Sequence, residues 1–150
     1  MKAVCDSAHG THLNRRSSYG YVITINGTPV IYKTKRQREV ALSSTESEFM
    51  ALAVCISHLC WLNNLVRFLK LDVGSILIQG DNMSAIKLVS GVLNPQRTRH
   101  VDIKYHYCRA VVRRHKWQVQ YLKTEENTAD VFTKVLPLDK FKKFSSRLVK

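Results

Sequence analysis

Four carboxylates in this sequence have the placement that metal-dependent chemistry requires. Acids are scarce, because the chain holds 11 Asp and Glu against 24 Lys and Arg. Asp6 ends a short apolar segment, and Glu48 lies early in a long apolar-periodic stretch. Asp81 follows a second apolar segment, and Asp130 follows the last alternating one. Strand ends and adjoining helix starts converge on one crevice in an open α/β sheet, so we expect these four acids to lie together.

Four carboxylates in one crevice repel each other unless a cation neutralises them, and divalent metal is the usual solution. Hard oxygen donors favour Mg²⁺ or Mn²⁺ over zinc. In a chain of formal net charge +13, such a site predicts hydrolysis of phosphodiesters with two metal ions. Each acid also has a simpler interpretation when it is considered alone. Asp81 and Asp130 could be acids that stabilise a helix N-terminus. Asp6 could be a turn residue, and Glu48 could be a solvent-exposed helix residue. Their joint placement carries the prediction.

Glu46 and Glu48 compete for one of these positions. Residues two apart on a helix point about 200° away from each other, so only one can face the crevice. Ser43 and Glu46 form a Ser-x-x-Glu capping box at the predicted helix start, which gives Glu46 a local role. Glu48 is therefore the better candidate, and Glu46 stays open as the alternative.

The composition indicates a single folded domain with a polyanionic partner. The 150 residues are 45% apolar, which suffices for a core and excludes global disorder. The basic surplus gives a pI near 9.9 and favours nucleic acid over a membrane surface as the partner. The most apolar run, residues 49–66, contains Ser57, His58, Asn63 and Asn64, which argues against a membrane span. No secretory signal is recognisable, so an intracellular location is expected.

The cysteines predict no disulfide framework. Cys5, Cys55, Cys60 and Cys108 form no C-x-x-C pair, which is typical of a reducing compartment. Cys55, His58, Cys60, His106 and Cys108 could be read as a zinc cluster. We disfavour that interpretation because no recognised ligand spacing is present.

The elements that must position the acids can be predicted in outline. Strands are expected over residues 3–6, 19–25 and 29–33, with Asn26-Gly27 as a hairpin turn. A long helix capped by Ser43 should reach about residue 70, followed by a strand over 75–79 and a helix near 84–90. Asp102 can open a third helix to about residue 115, before a strand over 117–122. A helix capped by Asn127 or Thr128 and a basic helix over 138–149 complete a mixed α/β sheet with helices on its faces.

Six segments resemble, in order, the ribonuclease H domain of copia-type (Ty1/copia, Pseudoviridae) LTR retrotransposon polyproteins. The opening strand V-C-D at residues 4–6 and the segment R-R-S-S-Y-G-Y at 15–21 are similar to that family's first two motifs. The segment S-S-T-E-S-E-F at 43–49 matches its S-S-T-E-A-E-Y almost residue for residue. D-N-x-S-A at 81–85, N-P with R-T-R-H-V-D at 94–102, and N-T-A-D-V-F-T-K at 127–134 complete the resemblance.

The resemblance implies a ribonuclease H-like fold, with a five-stranded mixed sheet (first three strands antiparallel) flanked by α-helices. It implies an Asp-Glu-Asp-Asp metal site, which maps to Asp6, Glu48, Asp81 and Asp130 as catalytic and metal-binding residues. By family analogy Asp6 bridges two Mg²⁺ ions, for which Mn²⁺ substitutes, Asp130 supports the ion that activates water, and the other two acids hold the second ion. The segment E-F-M-A at 48–51 also resembles the E-L-M-A pattern of cellular relatives, which supports Glu48.

The implied reaction is endonucleolytic cleavage of the RNA strand of an RNA–DNA hybrid during retrotransposon reverse transcription, leaving 5′-phosphate and 3′-hydroxyl ends. The implied partners are the hybrid and the reverse transcriptase polymerase domain of the same polyprotein, with no membrane. The implied location is cytoplasmic, within virus-like particles. Met1 lies five residues before Asp6, so the whole of 1–150 is expected to be one domain excised from a larger polyprotein.

Two departures from the family pattern bear on the site. Ala8 stands where the family often has a second Asp, but that Asp is not part of the implied metal set. Residues 123–128 contain no His, whereas cellular enzymes carry one in the loop before the last Asp. A His-assisted release of product is therefore not expected here.

Nucleic-acid contacts are expected from polar residues near the acids and from the basic third helix. Phosphate contacts need basic side chains, and recognition of a hybrid needs contacts to 2′-hydroxyls. The candidates are Asn14, Ser17, Asn82, Ser84, Arg97, Arg99, His100 and Lys104.

Two other function classes remain open at this point. One is a catalytically weak or inactive hybrid-binding domain that supports a reverse transcriptase. The other is a polynucleotidyl transferase such as an integrase core, which shares the fold. Those cores carry Glu as their last acid, so Asp130 counts against this second alternative.

Overall fold

The computed structural model describes residues 1–92 and 99–149, with the side chains of 99–102 excepted. The chain begins with three antiparallel strands, β1 (Lys2–Ala8), β2 (Ser18–Ile25) and β3 (Thr28–Arg36). Asn26 and Gly27 join β2 to β3 with φ of 50° and 77°, the positive values that a tight type I′ hairpin needs. The predicted hairpin is therefore confirmed.

Two further strands extend the sheet on the other side of β1. β4 (Leu77–Gly80) pairs with β1 in parallel, and β5 (Gln118–Tyr121) pairs with β4 in parallel. The strand order is β3-β2-β1-β4-β5, a mixed five-stranded sheet as predicted. Parallel strands have their carboxyl ends at the same edge of the sheet. Asp6 lies near the end of β1 and Asp81 directly follows β4, so both residues lie at that edge.

Helix α1 (Ser44–Phe68) begins at the predicted cap. The Ser43 Oγ accepts the Glu46 backbone N–H at 3.1 Å. The Glu46 carboxylate accepts from the Leu42 N–H at 2.9 Å, one residue before the cap, where a regular capping box would use the N–H of Ser43. Both bonds satisfy donors at the helix start, so Glu46 has the local role that the sequence predicted.

The same helix forms the centre of the core. Phe49, Leu52, Ile56 and Leu59 are fully or almost fully buried in the cluster that α1 forms with the sheet. By length and composition alone α1 is apolar enough to cross a membrane, yet more than half of its most apolar stretch is buried within the fold. Its apolar face is thus used for packing against β1, β2 and the neighbouring helices.

Helices α2 (Met83–Ser90) and α3 (Arg99–His115) pack against α1 and against each other, and α2 also contacts β5. The Asn82 Oδ1 caps α2 by accepting the Ala85 N–H at 3.0 Å. Helix α3 begins three residues before Asp102, the position predicted for its start. It then ends at the predicted residue.

The C-terminal part of the chain differs from its prediction. Residues Thr128–Phe132 form a 3₁₀ helix and not an α-helix. The Asn127 Oδ1 accepts the Ala129 N–H at 3.0 Å, and five residues are too few for a regular α-helix to propagate. Another 3₁₀ turn covers Thr124–Glu126, and α4 (Leu138–Leu148) follows as predicted.

All four cysteines are free, and three of them are buried. Cys5, Cys55 and Cys108 belong to the main apolar core, where they pack as small hydrophobic side chains. Their burial explains why apolar neighbours surround them in the sequence. Among the described residues, the groups of His, Cys, Asp and Glu that could share a metal ion do not include the Cys/His set.

Candidate active site

Three of the four predicted acids form a compact cluster. Asp6, Asp81 and Asp130 each offer a carboxylate oxygen, and these oxygens all lie within 4.8 Å of one another. Asp6 and Asp130 are 0% and 1% exposed, while Asp81 is half-buried. The cluster is therefore open on the side of Asp81 and closed toward the sheet.

The segment that carries Asp130 reaches the cluster through two unusual contacts. Asn127 is fully buried, and its Nδ2 donates to the Cys5 carbonyl at 3.2 Å, directly beside Asp6. Gly20 faces Asp6 in the β1–β2 pairing, and a Cβ there would come within 3.0 Å of Thr133 Cγ2 and still closer to Phe132. Only glycine lets the 3₁₀ segment lie this close to β2.

Glu48 lies beside the cluster on the second turn of α1. It is 8% exposed, and its Oε1 accepts the Ser7 N–H at 3.2 Å. Burial raises the pKa of Glu48 to about 8, with further increases from the charges of Asp6 and Asp81 and a smaller opposing effect of the Ser7 hydrogen bond. Glu48 is therefore close enough to Asp6 and Asp81 for their charges to disfavour its ionised form.

The pKa of Asp6 is raised to about 6, mainly because the carboxyl is buried. The hydrogen bond from Thr133 and the charge of Lys134 lower that pKa, whereas the charges of Asp130 and Asp81 raise it. Repulsion among acids thus remains even with a lysine in contact. A site of this kind gains from an added cation.

Two lysines and a threonine, none of them predicted as site residues, contact the buried aspartates. Lys134 Nζ lies 3.1 Å from Asp6 and 3.0 Å from Asp130, and Lys140 Nζ lies 2.6 Å from Asp130. The Thr133 hydroxyl donates to Asp6. Attraction to both aspartates raises the pKa of Lys134 although burial acts in the opposite direction. The sequence did offer an indication of these contacts, because Thr133 and Lys134 are the last two residues of the motif A-D-V-F-T-K.

The residues present fit a divalent metal. The donors are carboxylate oxygens from Asp6, Asp81 and Asp130, with Glu48 adjacent, and such oxygen sets suit Mg²⁺ and Mn²⁺. No sulfur or imidazole ligand belongs to the described group. The arrangement can therefore hold hard cations at the edge of the sheet where β1 and β4 end.

The structure separates Glu46 from Glu48. Glu48 is buried and accepts the Ser7 N–H, whereas Glu46 accepts the Leu42 N–H at the exposed start of the helix. The helical angle between the two residues produces this division.

The predicted nucleic-acid contacts fall into different environments. Ser84 is exposed, and Asn82 is half-buried next to Asp81 while it caps α2. The exposed Asn14 accepts the Arg16 N–H at 3.3 Å within a surface turn. Ser17 is fully buried, and its Oγ accepts the Gly10 N–H at 3.0 Å. This burial is a correction to the prediction, because Ser17 holds the loop together and does not face solvent.

Lys104 lines a basic pocket between the end of β3 and the helices. The pocket has a volume of about 320 Å³. Its lining includes Lys35, Arg36, Arg38 and Lys104, together with Tyr19 and Gln37. Lys104 also pairs with Glu39 at 3.4 Å. Arg97 and the side chains of Arg99 and His100 lie outside the described residues.

The chain is similar in sequence to retrotransposon polyproteins. It is 37% identical over 128 residues to the retrovirus-related Pol polyprotein from transposon TNT 1-94 of Nicotiana tabacum, which covers 85% of this chain and 10% of that protein. It is 28% identical over 153 residues to the Ty1-NL2 Gag-Pol polyprotein of Saccharomyces cerevisiae, with 99% of this chain and 9% of that protein covered. The chain thus spans about a tenth of the length of these relatives. No protein-family model matches it.

Solved structures with the same fold are ribonucleases H. LC11-RNase H1 isolated from compost superposes with a TM-score of 0.68 at 14% identity, covering 88% of this chain and 91% of that one. RNase H1 of Halobacterium salinarum gives a TM-score of 0.64 at 17% identity, covering 88% and 92%. A structure of LC11-RNase H1 in complex with an RNA/DNA hybrid matches with a TM-score of 0.67 at 14% identity, covering 88% and 92%. The chain therefore has the ribonuclease H fold.

Proposed function

This chain is a ribonuclease H-fold domain of the copia-type retrotransposon family, and we propose that it hydrolyses the RNA strand of RNA–DNA hybrids during reverse transcription. The observation that carries the proposal is the cluster of Asp6, Asp81 and Asp130, with Glu48 buried beside it. A nuclease of this type needs several oxygen ligands at one point of a basic surface. The cluster and the net charge of +13 supply both.

We propose a two-metal mechanism with Mg²⁺, for which Mn²⁺ would substitute. When bound, the ions supply the Lewis acidity that activates a water molecule and stabilises the leaving oxygen. Asp6 would contribute to both positions, Asp130 to one, and Glu48 and Asp81 to the other. The chain holds these donors in place by the Ser7 N–H on Glu48 and by the Asn127 anchor beside Asp6. Burial of Asp6 and Asp130 keeps bulk water away from the deep side of the site.

The basic pocket supports the proposed substrate. Arg38 and Lys104 lie on its lining, close to the start of the helix that carries Glu48. A hybrid whose backbone phosphates contact these side chains would run along the surface toward the acid cluster. Asn82 and Ser84, which follow Asp81 directly, are the candidates for contacts to the RNA strand.

The relatives also support proposals about context. Because they are Pol and Gag-Pol polyproteins, we propose that residues 1–150 act as one domain beside a reverse transcriptase polymerase domain of the same polyprotein. The corresponding location would be the cytoplasm, within virus-like particles.

The test is cleavage of a hybrid with a label on either strand. The protein should cut the RNA strand in Mg²⁺, leave the DNA strand and duplex DNA intact, and lose activity in EDTA. Asp81→Asn should lower the rate at least about 100-fold, because it removes one oxygen ligand. Asp72→Asn is the matched control, since Asp72 is exposed and caps only the turn at Gly74. Equal rates for wild type and Asp81→Asn would contradict the proposal.

One observation favours a second candidate, a hybrid-binding domain without catalysis. Lys134 and Lys140 already neutralise Asp6 and Asp130, as they would in a module that never binds metal. Hybrid binding that persists with no cleavage at any Mg²⁺ or Mn²⁺ concentration would favour this candidate. The integrase-like alternative lacks such support, because the last acid is Asp130 on a 3₁₀ helix.

A further inference from the structure

Two lysine side chains enter the acid cluster from the C-terminal segment. Lys134 Nζ is 3.1 Å from Asp6 Oδ1 and 3.0 Å from Asp130 Oδ1, so one ammonium joins two carboxylates. Lys140 Nζ is 2.6 Å from Asp130 Oδ2, and the Thr133 hydroxyl donates to Asp6 Oδ2. Each of the four oxygens of the two aspartates therefore has a partner from this segment.

The lysines and the aspartates differ in their access to solvent. The side chains of Asp6 and Asp130 are 0% and 1% exposed, whereas those of Lys134 and Lys140 are 37% and 29% exposed. A lysine can move its ammonium into water by rotating its flexible stem, but a buried carboxylate cannot leave its position. In the same position, Lys140 Nζ lies 5.4 Å from the centre of the Phe144 ring, so the ring adds a second attraction for the ammonium beside Asp130. The cations are thus the mobile half of each pair.

A divalent ion and Lys134 compete for the same oxygens. An ion shared by Asp6 and Asp130 would sit within about 2.0–2.6 Å of their oxygens, where the ammonium now lies between the two carboxylates. Two cations at that separation repel strongly in a partly buried site. Removal of the ammonium without a replacement would leave two buried carboxylates unpaired, which is also unfavourable. The site therefore favours one cation or the other.

We propose that Lys134 and Lys140 are internal counter-cations that keep the acid cluster assembled without metal and leave it when a divalent ion binds. They are positioning residues, since they act through the aspartates. The inference rests on the proposed function only in taking a divalent ion as the partner of the cluster. Metal binding would then exchange one cation for another. The negative charge of the aspartates would be neutralised both before and after the divalent ion binds.

The test compares Lys134→Met with Lys142→Met, an exposed lysine of α4. In EDTA, Lys134→Met should melt several degrees below the control, because Asp6 and Asp130 lose their shared cation. In Mn²⁺ titrations followed by electron paramagnetic resonance, the same variant should bind Mn²⁺ about threefold to tenfold more tightly, since no ammonium has to be displaced. Lys134→Arg keeps the charge and should bind Mn²⁺ with an affinity near that of wild type.

Lys140→Met provides a second variant. Because Lys140 pairs with Asp130 and not with Asp6, this change should lower the melting temperature and tighten Mn²⁺ binding by smaller amounts than Lys134→Met. Neither measurement needs nucleic acid, so a protein that fails to cleave hybrids can still satisfy the inference. Tighter Mn²⁺ binding in either variant than in Lys142→Met supports it, even if wild type binds too weakly to measure. Equal or weaker binding, or no Mn²⁺ binding by any variant, would overturn it.

Discussion

Asp6 and Glu48 hold their protons to higher pH than ordinary carboxyls, with pKa values of about 6 and about 8. In the unfolded chain both would titrate near pH 4. Between about pH 4 and 8 the folded protein without metal therefore binds more protons than the unfolded chain. The free energy of unfolding must then fall as pH rises through this window, the opposite of the usual behaviour of carboxylates in ion pairs.

We expect urea unfolding in EDTA to show this fall between pH 5 and pH 8. Glu48→Gln should remove up to about 1.4 kcal/mol per pH unit of the slope, because a neutral amide does not titrate. Glu46→Gln is the control, since that carboxylate caps the helix start on its exposed side. A wild-type stability that rises over this range would contradict the buried environment of Glu48.

At the residue scale, the types and spacing of the acids could be predicted, but their counter-cations could not. The four acids follow strand ends or start helices, which is visible in the sequence. Lys134 reaches Asp6 only because residues Thr128–Phe132 form a 3₁₀ helix and Gly20 allows a close approach. Neither the tighter turn nor the contact with β2 has a periodic signal in the sequence.

At the scale of elements, Gly20 controls where the 3₁₀ segment docks on the sheet. A Cβ at this position would collide with Phe132 and come within 3.0 Å of Thr133. Gly20→Ala should cost about 1–3 kcal/mol of stability and shift Asp130 away from Asp6. Because misplacement by about 1 Å can cost roughly 100-fold in rate, hybrid cleavage should fall by at least tenfold.

Gly80→Ala is the matched control for this change. Gly80 ends β4 next to Asp81, but a Cβ there meets Cys5 Sγ at 3.7 Å and Ile86 Cδ1 at 3.8 Å, which are ordinary contacts. Urea unfolding and cleavage rates of the two variants should be compared side by side. A Gly20→Ala protein that is as stable and as active as Gly80→Ala would refute the role given to the close approach.

The start of α1 offers a second prediction at this scale. The Ser43 Oγ accepts the Glu46 N–H, so Ser43→Ala should lower the free energy of unfolding by about 1 kcal/mol. Ser44→Ala is the control, because Ser44 is exposed in the first turn and follows the capping residue. Equal urea midpoints for the two variants would show that the cap contributes nothing to stability.

Most elements could be predicted because their signals are local. Ser43 as a cap, Asn26-Gly27 as a turn and alternating strand residues each depend on near neighbours in sequence. The 3₁₀ helix at Thr128–Phe132 packs on β1 and β2, and such contacts between distant segments are not visible in the sequence. The five-stranded mixed sheet with its first three strands antiparallel followed from the resemblance, whereas the strand order was not predicted, since pairing between distant strands has no local signal.

At the scale of the whole molecule, the charge of +13 has two separate uses. Three of only 11 acids are gathered at one edge of the sheet with Glu48 buried beside them, while basic residues such as Arg38 and Lys104 line a surface pocket. A binding surface of this kind releases counterions from the nucleic acid, so affinity for a hybrid should fall steeply with salt. The net charge predicts a polyanion as the class of partner, but the sequence does not show where such a partner would bind.

The double variant Arg38→Gln, Lys104→Gln should weaken hybrid binding and reduce the slope of log affinity against log salt by about 2. Lys70→Gln is the control, because Lys70 is exposed and follows the end of α1, whose last residue lies roughly 30 Å along the helix from Glu48. Fluorescence anisotropy in EDTA measures both slopes without cleavage. Identical slopes for the two proteins would exclude the pocket as a phosphate contact.

We propose that Asp6, Glu48, Asp81 and Asp130 together hold the metal ions. Anomalous diffraction from a crystal soaked in Mn²⁺ tests it most directly. We predict Mn²⁺ within about 2.0–2.4 Å of oxygens from all four residues, with the Lys134 ammonium displaced from between Asp6 and Asp130. Mn²⁺ bound elsewhere, or an acid cluster that stays closed around Lys134 with no ion at saturating Mn²⁺, would contradict the account.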